Sequence, residues 1–242
     1  MQTHPIVGLM IAAVITASCF MPVGVADADD LHRQAHLRRP VAMAVVDDSV
    51  FVANRRSGSI AQIDPQSQRV VREIRIGTQL ADLDVTPDGS HLLAIDEADQ
   101  RLLMVRCVDL AVVGRLDLPA APVDLCLADH GCTRFVASLW AKELRAIALE
   151  PPAEGSSGES GASIIWTIAL PFSPREQTLV STNHLVVGDA FGGHLAVIDL
   201  ERQSLLAVRS FAGHNIRGMS VDANQRELLV AHQILDSRAS TT

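Results

Sequence analysis

A repeat with a period of about 42 residues constrains the fold of this chain more than any other feature of its sequence. In each repeat a short polar residue closes an apolar run such as VFVAN or LLAID, and these anchor residues are separated by 42, 42, 51 and 43 positions. The long interval contains Pro151 to Gly161, a Gly/Ser/Pro/Glu-rich segment typical of a flexible loop insertion. A period of roughly 40–45 residues is that of a four-stranded propeller blade. The five anchors are Asn54, Asp96, Ser138, Asp189 and His232.

Columns of apolar residues inside the repeat support this register. The residue six positions beyond each of the first four anchors is Ile60, Leu102, Leu144 or Leu195. Turn sequences such as that from Thr86 to Gly89 separate short apolar runs, and helical periodicity is missing. The sequence therefore predicts an all-β propeller of four-stranded blades, open or incomplete, with about four complete blades and a partial fifth. The predicted blades span residues 41–79, 80–121, 122–172, 173–215 and, for the partial one, 216–242.

The N-terminal segment has the pattern of an export signal. Ile6 to Phe20 is an apolar run that is too short for a typical membrane span, and Ala26 to Ala28 offers an A-x-A cleavage pattern. We expect a signal peptide over 1–28, a linker over 29–40, no membrane span after cleavage, and a periplasmic or extracellular protein. The segment before the run lacks Lys and Arg, and Thr16 to Cys19 resembles a lipoprotein box. Lipidation of Cys19 and a retained anchor therefore stay open beside cleavage.

Charge and aromatic content exclude one class of partner. The formal net charge is -8, aromatic residues make up 3%, and there is no Tyr. A nucleic-acid-binding surface needs a basic face or aromatic stacking platforms, and this sequence offers neither. We therefore expect no nucleic-acid partner.

The cysteines and histidines give few signals of chemistry. Cys126 and Cys132 flank a turn and could pair across a hairpin, which suits an exported protein; two free thiols are the alternative. The chain has no C-x-x-C-H motif for covalent haem, no metal-ligand spacing and no catalytic constellation. We therefore predict no catalytic residues, no metal and no cofactor within this chain, which on its own is not expected to be an enzyme.

Two sets of polar residues are candidate binding sites. The anchors occupy equivalent blade positions and therefore form a ring on one propeller face. Asn, Asp and Ser at such positions also suit Asx-type turns, and this purely structural role is the favoured interpretation. The second set consists of Asp82, Asp84 and Asp124 on inner strands, where alternate side chains face the central channel; they could bind a cation or only line a water-filled channel. The candidate binding face comprises Asn54, Arg55, Arg56, Asp96, Glu97, Lys142, Asp189 and His232.

The same residues carry a family resemblance. Val50 to Asn54, followed by Ser57 to Ile60 and by Ile63 and Asp64, resembles the YVTN-type β-propeller repeat, and Val85 to Ser90 is similar to the Pro-Asp-Gly hairpin of that family. The resemblance covers about residues 36 to 242. It implies a propeller in a family that holds binding scaffolds, surface proteins and sensor-like modules, and that shades into quinoprotein-like exported propellers. In some bacterial members the propeller is followed by c-type cytochrome domains of the di-haem peroxidase type.

These observations lead to two functional hypotheses. The first is an exported binding module without a catalytic site, with a protein or small-molecule ligand on one propeller face. The alternative is the N-terminal propeller portion of a c-type haem-containing redox enzyme, whose haem c would lie in a downstream domain missing from this chain. The partial fifth repeat predicts a truncated member of the family.

Overall fold

The structure, a computed structural model, describes residues 38–128, 133–150, 161–222, 224 and 226–234. These residues form antiparallel sheets joined by turns. The predicted signal peptide, most of the linker, most of the loop insertion and Cys132 lie outside the described residues. No helix in the described part of the chain is long and apolar enough to cross a membrane.

Four sheets have four strands each, and a fifth sheet has two described strands. Within a sheet the strands follow one another in chain order. The first sheet contains β1 (Pro40–Val46), β2 (Ser49–Asn54), β3 (Ser59–Asp64) and β4 (Arg69–Arg75). The second contains β5 (Leu80–Val85), β6 (His91–Asp96), β7 (Arg101–Arg106) and β8 (Val112–Asp117).

The remaining sheets repeat this order. The third contains β9 (Pro122–Leu127), β10 (Thr133–Ser138), β11 (Glu143–Glu150) and β12 (Gly161–Ala169). The fourth contains β13 (Pro174–Ser181), β14 (His184–Asp189), β15 (His194–Asp199) and β16 (Ser204–Ser210). The fifth contains β17 (His214–Val221) and β18 (Leu228–Ile234).

The first strand of each sheet packs against the first strand of the next, in the sequence β1, β5, β9, β13 and β17. These inner strands surround a central channel, and the other strands of each sheet extend outward as a blade. Among the described residues β17 and β1 show no comparable packing. The predicted fold, an open β-propeller with four complete blades and a partial fifth, is confirmed.

Apolar clusters between neighbouring blades form the core. Ile60 and Leu144 are fully buried and Leu102 nearly so, because the third-strand column points into these inter-blade layers. Leu195, in the same column of the fourth blade, is only partly buried. The blades approach closely where the chain has small residues: a Cβ at Gly188 would lie 3.0 Å from the side chain of Ile216 in the fifth blade. A sheet with apolar side chains on both faces needs such neighbours, which explains why the repeats stack.

Candidate functional site

Each inner strand begins with a β-bulge at the same position. In the pairing of the first strand with the second, one residue of the first strand has no partner. In every blade this residue directly follows the residue that lies opposite the anchor. A bulge increases the twist of the strand and changes the direction of a side chain. Because the bulge recurs in every blade, it has this effect at equivalent positions around the channel. The skipped residues are Val41, Ala81, Val123, Arg175 and Arg217.

These five residues line one cavity at the channel mouth. Its volume is about 570 Å³, which is within the size of small-molecule sites. The lining is highly charged, since it includes four arginines and four acidic residues. We call the five bulge residues, together with Arg55 and Glu97, the mouth layer of this cavity.

The residues that directly follow three of the bulges form a second layer. Asp82, Asp124 and Glu176 come from three successive inner strands and all line the cavity. The Asp82 carboxylate accepts a hydrogen bond from the backbone N–H of Leu125 at 2.7 Å, which ties the second blade to the third. We call these three residues the carboxylate layer.

The carboxylate layer holds its negative charge in a poorly solvated place. Burial raises the pKa of Asp82 to about 7, and it raises the pKa of Asp124 well above its ordinary value, with Asp82 and Glu176 adding to the rise. Burial also raises the pKa of Glu176, although Arg175 and Arg217 act in the opposite direction. Desolvation and mutual repulsion of like charges both favour a neutral carboxyl group. These carboxylates would therefore gain from a cationic partner.

The arginines of the mouth layer differ in how closely they pair with carboxylates. Arg55 forms a salt bridge with Glu97 of the next blade, and each side chain is only about one-fifth exposed. The Nε of Arg175 lies 3.9 Å from a Glu176 oxygen, which is too far for a hydrogen bond. Burial lowers the pKa of Arg175, and the positive charge of Arg217 lowers it further. An anionic group at this place would relieve the crowding of positive charge.

Within the described part of the chain, two buried atoms of this cavity, one from an acidic and one from a basic side chain, have no hydrogen-bond partner. They are Oδ2 of Asp124 and Nη1 of Arg217. Other atoms of both residues are engaged, because Gln177 hydrogen-bonds Asp124 and the Nε of Arg217 donates to Gln233 Oε1 at 3.2 Å. A buried polar atom without a partner costs free energy, and such atoms concentrate where a ligand or water completes the bonding.

The polar anchors lie beneath the face rather than on it. Asn54, Asp96, Ser138 and Asp189 are all buried. Asp96 accepts hydrogen bonds from the backbone N–H groups of Thr78, Gln79 and Asp99. Asp189 likewise accepts from the N–H of Phe191 and bonds His194. Through these bonds Asp96 and Asp189 hold loops of the face in place, whereas the buried Oγ of Ser138 has no hydrogen-bond partner among the described residues.

The other residues of the candidate binding face are distributed differently. Arg56 and Lys142 are exposed, whereas His232 is partly buried and its ring packs edge-on against Phe211. Of the predicted face residues, only Arg55 and Glu97 line the cavity. The structure therefore brings these two together with the channel residues Asp82 and Asp124.

Asp84, Cys107 and Cys126 are not part of the cavity lining. The Asp84 carboxylate accepts a hydrogen bond from the backbone N–H of Val85. Cys126 lies opposite Phe135 in the strand register. Because Cys132 is outside the described residues, its pairing with Cys126 stays a prediction. In the described part of the chain no three His, Cys, Asp or Glu residues are close enough to hold a metal ion.

Three cavity residues are not predicted from the sequence: Arg175, Glu176 and Arg217. The signal that could have found two of them is their place in the repeat: Glu176 corresponds to Asp82 and Asp124, and Arg175 directly precedes it. The correspondence is hidden because the spacing differs: Asp82 and Asp124 lie 14 residues before their anchors, whereas Glu176 lies 13 residues before Asp189.

The comparisons with known proteins identify the fold. No family model matches the chain, and no curated protein matches it. Among solved structures it is similar to hydrazine synthase from Kuenenia stuttgartiensis, with a TM-score of 0.70, 17% identity and 92% of this chain covered. It is also similar to the Swd1 β-propeller domain from Myceliophteria thermophila, with a TM-score of 0.62, 14% identity and 80% of this chain covered.

A third similar structure is a functionally unknown protein from Desulfotomaculum acetoxidans, with a TM-score of 0.67, 14% identity and 80% of this chain covered. The chain spans 62%, 62% and 63% of the lengths of these three proteins, in that order. At such low identity the likeness establishes the fold alone. The class of protein defined by fold and comparison is a β-propeller.

Proposed function

We propose that this chain is an exported β-propeller binding module of the YVTN type that takes a small charged ligand at the channel mouth. The observation that carries this proposal is the cavity of about 570 Å³, into which the recurring bulges turn side chains from successive blades. Side chains that a rigid scaffold directs into one concave cavity are typical of ligand-binding sites. Export rests on the N-terminal signal pattern.

The choice of a binding role rests on how the polar groups are used. Charged groups converge at the channel mouth, whereas His194 and Asp189, a hydrogen-bonded pair outside it, flank the loop between β14 and β15. Asp189 also accepts the N–H of Phe191, which is what a turn-capping carboxylate does. The cavity therefore offers recognition by charge and hydrogen bonding.

A thermal-shift screen of charged small molecules tests the binding proposal. Wild-type protein is compared with Arg175→Gln and Glu176→Gln, which remove one charge of each sign from the cavity. The matched controls are Arg209→Gln and Glu201→Gln, at exposed positions far out on the fourth blade. We expect compounds that stabilise the wild type and both controls but lose their effect in the cavity variants. Hits unaffected by the cavity variants, or no hits at all, would contradict a ligand site at the channel mouth.

Export has a separate test. Expression of the full chain in a bacterial host, followed by cell fractionation and mass measurement of the product, should give periplasmic or secreted protein that begins after Ala28. Uncleaved cytoplasmic protein would contradict this part of the proposal.

The alternative, a propeller portion of a larger haem-containing redox enzyme, draws support from the fold likeness to hydrazine synthase. It is tested by reading the genomic sequence after Thr242 for further blades and a C-x-x-C-H motif. A reading frame that stops without such a motif would favour the binding module.

A further inference from the structure

We infer that the ligand of this cavity is a small zwitterion, with its ammonium group at the carboxylate layer and its carboxylate group at Arg175 and Arg217. This inference rests on the proposed function and specifies the chemistry of its ligand. It depends on Arg175 and Arg217 in the mouth layer, on the carboxylate layer, and on the two atoms, one in each layer, that have no hydrogen-bond partner among the described residues.

The carboxylate layer fits a primary ammonium group better than other cations. Asp82, Asp124 and Glu176 come from three different strands and do not converge as metal ligands within the described residues. The free lone pairs of Asp124 Oδ2 need a hydrogen-bond donor, which a primary ammonium has and a quaternary ammonium lacks. An ammonium with three N–H groups can also donate to more than one of these carboxylates.

The arginines fit a carboxylate in the same way. Among the residues that the structure describes, buried Arg217 Nη1 has no hydrogen-bond partner, and Arg175 has no acidic partner closer than the Glu176 oxygen at 3.9 Å. Guanidinium groups bind planar carboxylates through parallel N–H donors. An anion placed here would also reduce the repulsion between these two arginines.

The distance between the layers favours one small molecule over two separate ions. Arg175 and Glu176 are adjacent in the chain, so their backbone positions are only about 3.8 Å apart. The Nε of Arg175 lies 3.9 Å from a Glu176 oxygen, so opposite charges of the two layers are a few ångströms apart at this point, a span that a short carbon chain can bridge. The volume of about 570 Å³ leaves room for such a molecule together with water.

Calorimetric titration with a matched set of compounds tests this inference. The probes are ω-amino acids from glycine to 6-aminohexanoate, each compared with the carboxylic acid and the amine of the same chain length, and with the N-trimethylated zwitterion. We expect at least one primary-amine zwitterion to bind at least tenfold more tightly than its three counterparts.

Variants then assign each end of the ligand. In Asp124→Asn the best zwitterion should bind no more tightly than the carboxylic acid of the same length. In Arg217→Gln it should bind no more tightly than the amine. Asp117→Asn and Arg209→Gln, both at exposed positions on outer strands, are matched controls that should leave the tenfold preference unchanged. Circular dichroism spectra establish that each variant is folded.

The outcomes separate this inference from the proposed function. A zwitterion preference that persists in Asp124→Asn or Arg217→Gln, or no preference at any chain length, would overturn the zwitterion inference. If the thermal-shift screen still finds a cavity-dependent ligand of another charge type, the binding module stands and only the ligand chemistry is wrong. If neither experiment finds a cavity-dependent ligand, both fail.

Discussion

The buried anchor Asp96 should be among the most costly polar residues of the chain to remove. Its two carboxylate oxygens accept N–H groups from Thr78 at 2.7 Å, Gln79 at 3.1 Å and Asp99 at 3.2 Å. Thr78 and Gln79 belong to the connection between the first and second blades. Asp96→Ala therefore removes the acceptor of three N–H groups at once.

The magnitude follows from the cost of leaving donors without partners. A buried donor left unsatisfied costs roughly 1–3 kcal/mol, and water entering the new space recovers part of this. We expect Asp96→Ala to lower the free energy of unfolding by about 3–6 kcal/mol, a large part of the roughly 5–15 kcal/mol that stabilises a typical domain. Asp96→Asn keeps one acceptor oxygen and should fall between the two proteins.

Equilibrium urea unfolding, followed by tryptophan fluorescence, measures this effect. Asp64→Ala is the control, because Asp64 also accepts hydrogen bonds in a turn, from Gln66 and Ser67, but does so in solvent. An Asp96→Ala midpoint shift no larger than that of the control would refute the assignment of Asp96 as a structural anchor. Asp96→Ala should also affect the cavity, because Gln79 accepts a hydrogen bond from the cavity residue Arg55 through its side-chain amide oxygen.

Four further outcomes follow from the structure. Ile60→Ala, at a fully buried core position, should cost about 2–5 kcal/mol in urea unfolding. Arg55→Glu should destabilise the protein because it places two carboxylates together, and adding Glu97→Arg should restore part of the loss in a double-mutant cycle. The pKa of Asp82 is raised to about 7, so the folded state binds more protons than the unfolded state between about pH 4 and pH 7. Stability should therefore fall as the pH rises through this range and level off above it, and urea midpoints of Asp82→Asn should show a shallower fall. Burial raises the pKa of Cys126 to about 12, so iodoacetamide should modify this thiol at least tenfold more slowly in reduced native protein than in urea.

The fold could be predicted from the sequence because the repeat carries redundant information. Ile60, Leu102 and Leu144 occupy one column, and all three are buried between blades as the register requires. A strand that must pack on both faces needs apolar residues at fixed intervals, and this demand is visible without coordinates.

The candidate site could be predicted only in part. Asp82 and Asp124 were placed in the channel by strand alternation, and the structure shows both in the cavity lining. The anchors gave an ambiguous signal, because the residue types that cap turns are also those that bind ligands. Arg217 could not be assigned to the mouth, since its direction depends on a bulge that leaves no mark in the residue pattern.

The distribution of charge around the channel argues that the cavity is more than a by-product of the fold. The bulge position tolerates apolar residues, because Val41, Ala81 and Val123 occupy it in three blades. Arginine in the other two blades is therefore not required by the backbone, and it brings partly buried positive charge at a cost in solvation. The position that follows the bulge behaves in the same way, with Ala42 and Gly218 in two blades and carboxylates in three. A scaffold that repeats without needing charge, and that nevertheless carries carboxylates after the bulge in the second to fourth blades and arginines at the bulge in the fourth and fifth, has the asymmetry that recognition of an oriented, doubly charged ligand requires.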